Sequence, residues 1–277
     1  MSKLYVFGIG GTGSRVLRAL TMLLACGVEC KSDTIIPIII DPDDSAADKT
    51  RTVDAMKRYE SIRKKLVFSD ANENRFFSTE LRGVDGMENF GFPLNNTRDC
   101  YFKDFIKVEE LNKASRALVN LLFSQKNLNS DMKVGFKGNP NIGSIVLNQF
   151  GNSQHYKDFA NDFKEGDRVF IISSIFGGTG ASGFPLLLKT LRSDKNSQSW
   201  NLINSAKIGA VTVMPYFKVS QDDNSGVDSS TFVSKTKAAL AYYENNISKN
   251  GSVNALFYIG DNIPASYENH DGGSEQK

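Results

Sequence analysis

The chain has 277 residues, 40% of them hydrophobic and 23% charged, which is the make-up of one large folded domain or two small ones. Its 33 basic residues against 31 acidic ones leave a net charge of +2, a balance that offers no case for nucleic acid or a membrane surface as a partner. Three cysteines without a Cys-x-x-Cys pair, and only two histidines, His155 and His270, argue against a disulfide framework, a four-cysteine zinc site and histidine-based chemistry.

Residues 4–7 predict a short strand. Residues 12–25 have helical spacing, with Val16, Leu17, Leu20, Leu23 and Leu24 on one side. Residues 35–40 are nearly all isoleucine, as a strand buried on both faces requires. A charged helix is expected over 46–66, with Lys57, Arg58, Arg63, Lys64 and Lys65 as a solvated face. Residues 69–107, rich in Asn, Asp, Gly and Phe, lack periodicity and read as an insertion or long connection, with Phe76, Phe77, Phe90 and Phe92 as its local core. Helical spacing resumes over 111–123 through Leu111, Ala114, Leu118, Leu121 and Leu122. A glycine-bearing loop at 135–143 leads into a helix to about residue 164, then a turn and a buried strand at 169–173. A second glycine loop covers 177–183, followed by a helix at 185–191, a strand at 208–214, a helix at 231–245 and a last strand at 255–259. Cys26, Cys30 and Trp200 read as packing residues. The apolar stretch 20–28 is too short to span a bilayer and lacks a cleavage pattern, so no membrane segment is expected and the protein reads as cytoplasmic. Alternating strands and helices predict an α/β fold: a Rossmann-like parallel sheet flanked by helices on both faces, in a single nucleotide-binding domain spanning 1–277.

Ligands of such sheets bind beyond the carboxyl ends of the strands, so the loops there should carry the chemistry. The first, residues 8–14 (GIGGTGS), follows a strand and opens a helix, and Gly8, Gly10 and Gly13 fit the dinucleotide spacing GxGxxG. Glycine lets the backbone approach a phosphate, and the free N–H groups and dipole of a helix start favour an anion. The alternative is a plain tight turn, against which the strand–loop–helix context speaks. The second loop sets Asp41 at a strand tip, where an acid can contact a ribose hydroxyl or a metal-bound water; Asp43, Asp44 or Ser45 can also cap the next helix. The third, residues 177–183 (GGTGASG), repeats the strand–glycine–helix pattern. A dinucleotide fold needs one such loop. Two, after different strands, predict several helix N-termini converging on one polyphosphate, with hydroxyls from Thr179 and Ser182.

The run Gly177, Gly178, Thr179, Gly180, Ala181, Ser182 (GGTGAS) closely resembles the GGTGTG/GGTGSG signature of the tubulin/FtsZ family. Gly10, Gly11, Thr12 and Gly13 resemble that family's first phosphate loop. Asp41, in IDPD at 40–43, lies where its second loop ends a strand. Residues 137–143 (KGNPNIG), with Gly138 and Asn139, are similar to its GANPEIG-like third loop. Pro215, in VMPY at 213–216, resembles the segment before the ribose-contacting loop, and Asn262, in GDN at 260–262, stands where the family reads the guanine edge. The resemblance covers nearly the whole chain apart from residues 69–130, which look longer than in FtsZ. It implies GTP or GDP as ligand, with Mg²⁺, and self-association into head-to-tail filaments.

There are departures. Arg15 stands where FtsZ-like proteins often have Asn near the base and ribose, and after Tyr216 only Asp222 and Asp223 are candidates for the family's Glu and Arg pair. In the family a central helix, an acidic loop and a second domain follow, the acidic loop completing the next subunit's site. This sequence stops at GGSEQK, and Glu275 is not in that context. The expectation is therefore a fragment, or a domain without its activation half, that binds nucleotide and hydrolyses it poorly alone; no catalytic residue is assigned. A second reading is an adenylating enzyme of the ubiquitin-activating type, which GIGGTGS, Gly27-Val28, Asp41-Pro42-Asp43 and the nearby Arg51 also resemble. The chain has no paired Cys-x-x-Cys ligands for it, and GGTGAS is left unexplained, as it is by a plain NAD-binding domain. A third reading is a nucleotide-gated scaffold without catalysis.

Overall fold

Continuous apolar runs make the central strands, because a strand covered on both faces has no side for polar residues. The computed structural model describes residues 2–68, 74–92, 94, 97, 100–132, 135–193, 195, 199–219, 229–261 and 266–267. In chain order the elements are β1 (Lys3–Ile9), α1 (Gly10–Ala25), β2 (Thr34–Ile40), α2 (Ala47–Arg63), β3 (Glu80–Leu81), α3 (Phe102–Phe105), α4 (Lys113–Leu122), α5 (Gln125–Leu128), α6 (Pro140–Val146) and α7 (Gln154–Asp162). There follow β4 (Arg168–Ser174), α8 (Gly178–Ser193), α9 (Trp200–Ser205), β5 (Lys207–Val213), β6 (Lys218–Val219), α10 (Phe232–Tyr243), β7 (Ala255–Ile259) and β8 (Ser266–Tyr267). Six strands form one parallel sheet in the order β3-β2-β1-β4-β5-β7, and β6 pairs with β8 apart from it.

The period of two along each strand sorts the core into two clusters, one on each face. Tyr5, Phe7, Ile9, Ile36, Ile38, Val169 and Ile171 pack with Ile142 and Val146 of α6, Phe159 of α7 and Phe184, Leu187 and Leu191 of α8. Val6, Ile35, Ile39, Ile172 and Val211 pack with Leu17 and Leu24 of α1 and with Val53, Met56 and Tyr59 of α2. Helices therefore cover both faces, as the alternation predicts. Phe7 sits edge-on to Phe159 with ring centroids 5.4 Å apart, and the Tyr5 hydroxyl donates to Asp162 at 2.8 Å, tying α7 to β1. The described part of 69–130 adds Phe92, Phe102, Phe123 and Leu128 to the first cluster.

Several local expectations are corrected. The glycine runs are not loops: α1 begins at Gly10 and α8 at Gly178, so most of each run forms the first turns of a helix. Glycine disfavours helix intrinsically, but here close packing on the sheet overrides propensity. A Cβ on Gly180 would lie 2.6 Å from Ser174 O, and one on Gly183 2.8 Å from Ile9 Cγ2. The single helix expected to residue 164 is broken, with a 3₁₀ segment at Leu147–Asn152 and a fresh start at α7, where Ser153 accepts from Tyr156 N. None of Asp43, Asp44 or Ser45 caps α2; Ala46 holds the cap position, and Asp43 turns its carboxylate onto Ser45 N and Oγ. Cys26 is exposed, because it lies beyond the buried stripe of α1, whereas Cys30 is half-buried and packs against the second cluster. The four phenylalanines form no local core: Phe92 and Phe90 join opposite faces of the sheet, and Phe76 is exposed. Trp200 is likewise among the exposed large side chains.

Sheet order fixes where a ligand crevice opens. The chain runs outward from β1 through β2 to β3, then returns to β4 on the other side of β1 and runs outward again. That reversal separates the loops after β1 and β4, leaving a gap at the carboxyl edge of the sheet.

Candidate functional site

Both glycine segments leave the sheet at this reversal. β1 and β4 are in register with Gly8 opposite Ile172, so the starts of α1 and α8 emerge side by side, from opposite faces. Gly10 has φ +69°, a left-handed turn that lets the chain pass from strand to helix at once. A Cβ there would be 3.4 Å from Thr179 Cβ and 3.8 Å from Gly180 N. A Cβ on Gly178 would lie 3.0 Å from Asn139 N and 3.2 Å from Gly138 N. The segments around Gly10, Gly138 and Gly178 are therefore neighbours, and each brings bare backbone to the junction. α1 and α6 have no side-chain cap, and none of α1, α6 and α8 has an acid in its first turn. The leading N–H groups of α1 and α6 are thus not taken up by side-chain caps of the kind that satisfy helix starts elsewhere, as Asn112 does for α4.

The remaining candidate residues divide by role. Gly13 is buried against Gly8 and Ile172 O, and serves helix–sheet packing. Ala181 and Ser182 are buried, and the Ser182 hydroxyl donates to Gly178 O at 2.6 Å, which commits it within α8. Thr179 is half-buried at the junction. Gly177 is half-buried ahead of α8, where a Cβ would stand 3.0 Å from Ser174 Oγ. Thr12 Oγ1 lies 3.4 Å from the Tyr216 hydroxyl, which brings the segment holding half-buried Pro215 beside α1. Asn262, Asp222, Asp223 and Glu275 lie outside the described residues.

Asp41 faces inward. It is 6% exposed, and Oδ1 accepts from Asp43 N at 3.0 Å. Burial pushes its pKa from an ordinary 3.8 up to about 7; the Asp43 N–H bond and nearby Lys49 oppose that rise, while Asp43 and Asp44 add to it. Between those two values the folded chain keeps a proton that the unfolded chain has lost, so stability falls as pH rises through the window and levels off above it. Asp41→Asn keeps the acceptor and removes the charge. Chemical denaturation should find it close to wild type at pH 4 and more stable at pH 8, by no more than about 4 kcal/mol. An unchanged pH slope would show that Asp41 ionises freely.

Sequence reasoning missed a polar group beside α1. Arg15 Nε is 2.7 Å from Asp48 Oδ2 and Arg15 Nη1 donates to the Tyr216 hydroxyl at 3.0 Å, while Arg51 Nη2 reaches Asp48 Oδ1 at 3.0 Å. Asp48 is buried and would stand 3.8 Å from a Cβ on Gly11, so the two arginines offset a carboxylate that would otherwise oppose an anion at the start of α1. It was hidden because Asp48 lies in a helix whose charges read as solvated. Sequence reasoning also missed Lys235 of α10, whose ammonium donates to Gly138 O at 2.9 Å.

No family model matches the chain, and no curated protein matches it. Among solved structures it is similar to CetZ from Methanosaeta thermophila (14% identity, TM-score 0.45) and to an FtsZ variant from M. jannaschii (15% identity, TM-score 0.43), matches that each cover 94% of this chain and 46% of the other. It is also similar to CetZ2 from Haloferax volcanii in a GTPγS-bound protofilament (11% identity, TM-score 0.42, covering 94% of this chain and 49% of the other). These are tubulin/FtsZ proteins. The chain spans just under half the length of each.

Proposed function

We propose that the chain is a nucleotide-binding domain whose ligand is a guanine nucleotide, GTP or GDP, with its phosphates at the junction of α1, α8 and the loop before α6. The observation that carries this reading is the mutual approach of Gly10 to Thr179 and of Gly178 to Gly138 and Asn139. Three stretches of bare backbone from distant parts of the sequence meet at the carboxyl edge of a parallel sheet, where helix dipoles and free N–H groups favour an anion. Guanine as the base rests on the resemblance of GGTGAS and KGNPNIG to tubulin/FtsZ loops. Among the described residues no group of three or more His, Cys, Asp or Glu could hold a metal. A Mg²⁺ ion bound with the nucleotide would be held through its phosphates, water and one or two carboxylates. Head-to-tail self-association belongs to the same proposal, and sedimentation with GTP against GDP tests it.

Calorimetric titration with GTP, ATP and NAD in the presence of Mg²⁺ tests the central claim. The expected result is selective GTP binding at micromolar Kd, about 8 kcal/mol, which several backbone donors to a triphosphate can supply. Preference for ATP or NAD would overturn the guanine assignment, and absence of binding would leave a scaffold.

A further inference from the structure

We propose that the groove between α1 and α2, on the surface these helices turn to solvent, docks an acidic amphipathic helix of a partner protein. Arg18 and Met22 of α1, one turn apart, form one wall. Arg51, Ala55, Arg58 and Ile62 of α2 form the other, at the spacing that shares a helix face. The space between them is about 430 Å³. Its floor is Thr21 and Tyr59, with the Phe77 ring 5.0 Å from that of Tyr59. The floor's hydroxyls are already committed: Thr21 donates to Leu17 O at 2.9 Å and Tyr59 to Thr79 O at 2.7 Å. What is left to an occupant is apolar surface, and Met22 (57% exposed) and Ile62 (43%) stand open at the walls.

The rim is positive. Arg18 is half-buried and Arg58 exposed, and neither makes an ion pair or hydrogen bond among the described residues, unlike Arg63, Arg82 and Arg192. Arg51, paired with Asp48, adds to the same rim, and Asp54 is the single acid lining it. Charge complementarity therefore asks for an anionic occupant and the floor for an apolar one; an amphipathic helix with acidic flanks is both. Arginine, methionine and aromatic side chains are also the ones enriched where proteins meet. A second copy fits worse, because a two-fold contact sets the groove against itself and its arginines against one another. A bilayer is flat and would touch the rim while leaving the floor in water. Met22 lies about 18 Å along α1 from Gly10, at roughly 1.5 Å per residue, so this surface is separate from the proposed nucleotide site.

The test is fluorescence anisotropy with two designed helices of about 18 residues, leucine along one face and either glutamate or lysine over the rest. The proteins are wild type, Met22→Asp and the charge reversal Arg18→Glu with Arg58→Glu. The glutamate helix should bind wild type in the micromolar range, at least about tenfold tighter than the lysine helix. Met22→Asp should weaken the glutamate helix about tenfold or more. The reversal should exchange the preference, so that the lysine helix binds tighter, a gain that only a folded protein can show. All three proteins should melt alike, since none of the substituted side chains is buried. Wild type that does not bind the glutamate helix up to about 1 mM, or binds both helices alike, overturns the proposal. A reversal that leaves the preference unchanged also overturns it. So does a wild-type dimer in sedimentation that Met22→Asp dissociates, which would make the groove an interface between copies. Binding to phosphatidylglycerol vesicles that the reversal abolishes would overturn it in favour of a membrane contact.

Discussion

Gly178→Val should abolish the proposed nucleotide binding while leaving a folded protein. Position 178 is the first residue of α8 and is buried, and even a methyl there would lie 3.0 Å from Asn139 N, 3.0 Å from Phe136 Cβ and 3.2 Å from Gly138 N. One of these neighbours, Gly138 N, is a backbone donor beside the proposed phosphates, while Asn139 N already donates to Phe136 O at 2.8 Å and holds the loop's shape. A side chain would both push the loop away from α8 and cover its donors. Hydrogen bonds to a charged group contribute about 1.5–3 kcal/mol each, so every donor lost with the displaced loop lowers affinity by a factor of about ten or more. The folding cost is smaller, about 1–3 kcal/mol for overpacking, because the loop lies at the sheet edge and can shift. Calorimetry with GTP should give no measurable heat for Gly178→Val and at least about a tenfold loss for Gly178→Ala, beside circular dichroism spectra like wild type. Gly178→Val binding GTP as wild type does would sink the proposed cradle.

What could be read from residues alone follows from which interactions are local. β1, β2 and β4 were legible because a strand buried on both faces must be apolar at every position, and 35–40 has no other plausible state. The strand–glycine–helix pattern placed both phosphate segments at strand ends, and hence on one edge of a parallel sheet. Its misreading as loop came from taking glycine as the mark of a tight turn, when Gly13, Gly180 and Gly183 are small because a strand passes beside them and Gly8 because α1 passes beside it. That reason is tertiary and leaves no local mark. β3 was not legible because two residues carry no periodicity. Arg15, Asp48 and Tyr216 met unannounced for the same cause as Lys235 and Gly138, which are 97 residues apart: the sheet order that joins them is a property of the whole chain.

The first motif holds a sharper test of this distinction, since two of its glycines should respond to the same substitution with opposite sign. A Cβ on Gly13 would stand 2.7 Å from Gly8 Cα and 3.2 Å from Ile172 O, which belong to the two central strands. Neither partner is a side chain that could rotate away, so α1 would have to lift off the sheet and open contacts made by Leu17 and Leu24. Overpacking against backbone in a close-packed core places Gly13→Ala at the severe end, about 3 kcal/mol or more. Gly11 is one residue past the turn, has no positive φ, and a Cβ there would meet only Arg15 Nη2 and Asp48 Oδ2, each at 3.8 Å. Alanine at a helical position of ordinary geometry is preferred over glycine by roughly 0.5–1 kcal/mol. Urea denaturation should therefore find Gly11→Ala as stable as wild type or slightly more so, and Gly13→Ala strongly destabilised or unfolded. Equal losses at both positions would mean that the whole motif is held as a rigid turn by its glycines; the opposite signs would show that only Gly13 is fixed by packing, leaving Gly11 free for the ligand side of the helix start.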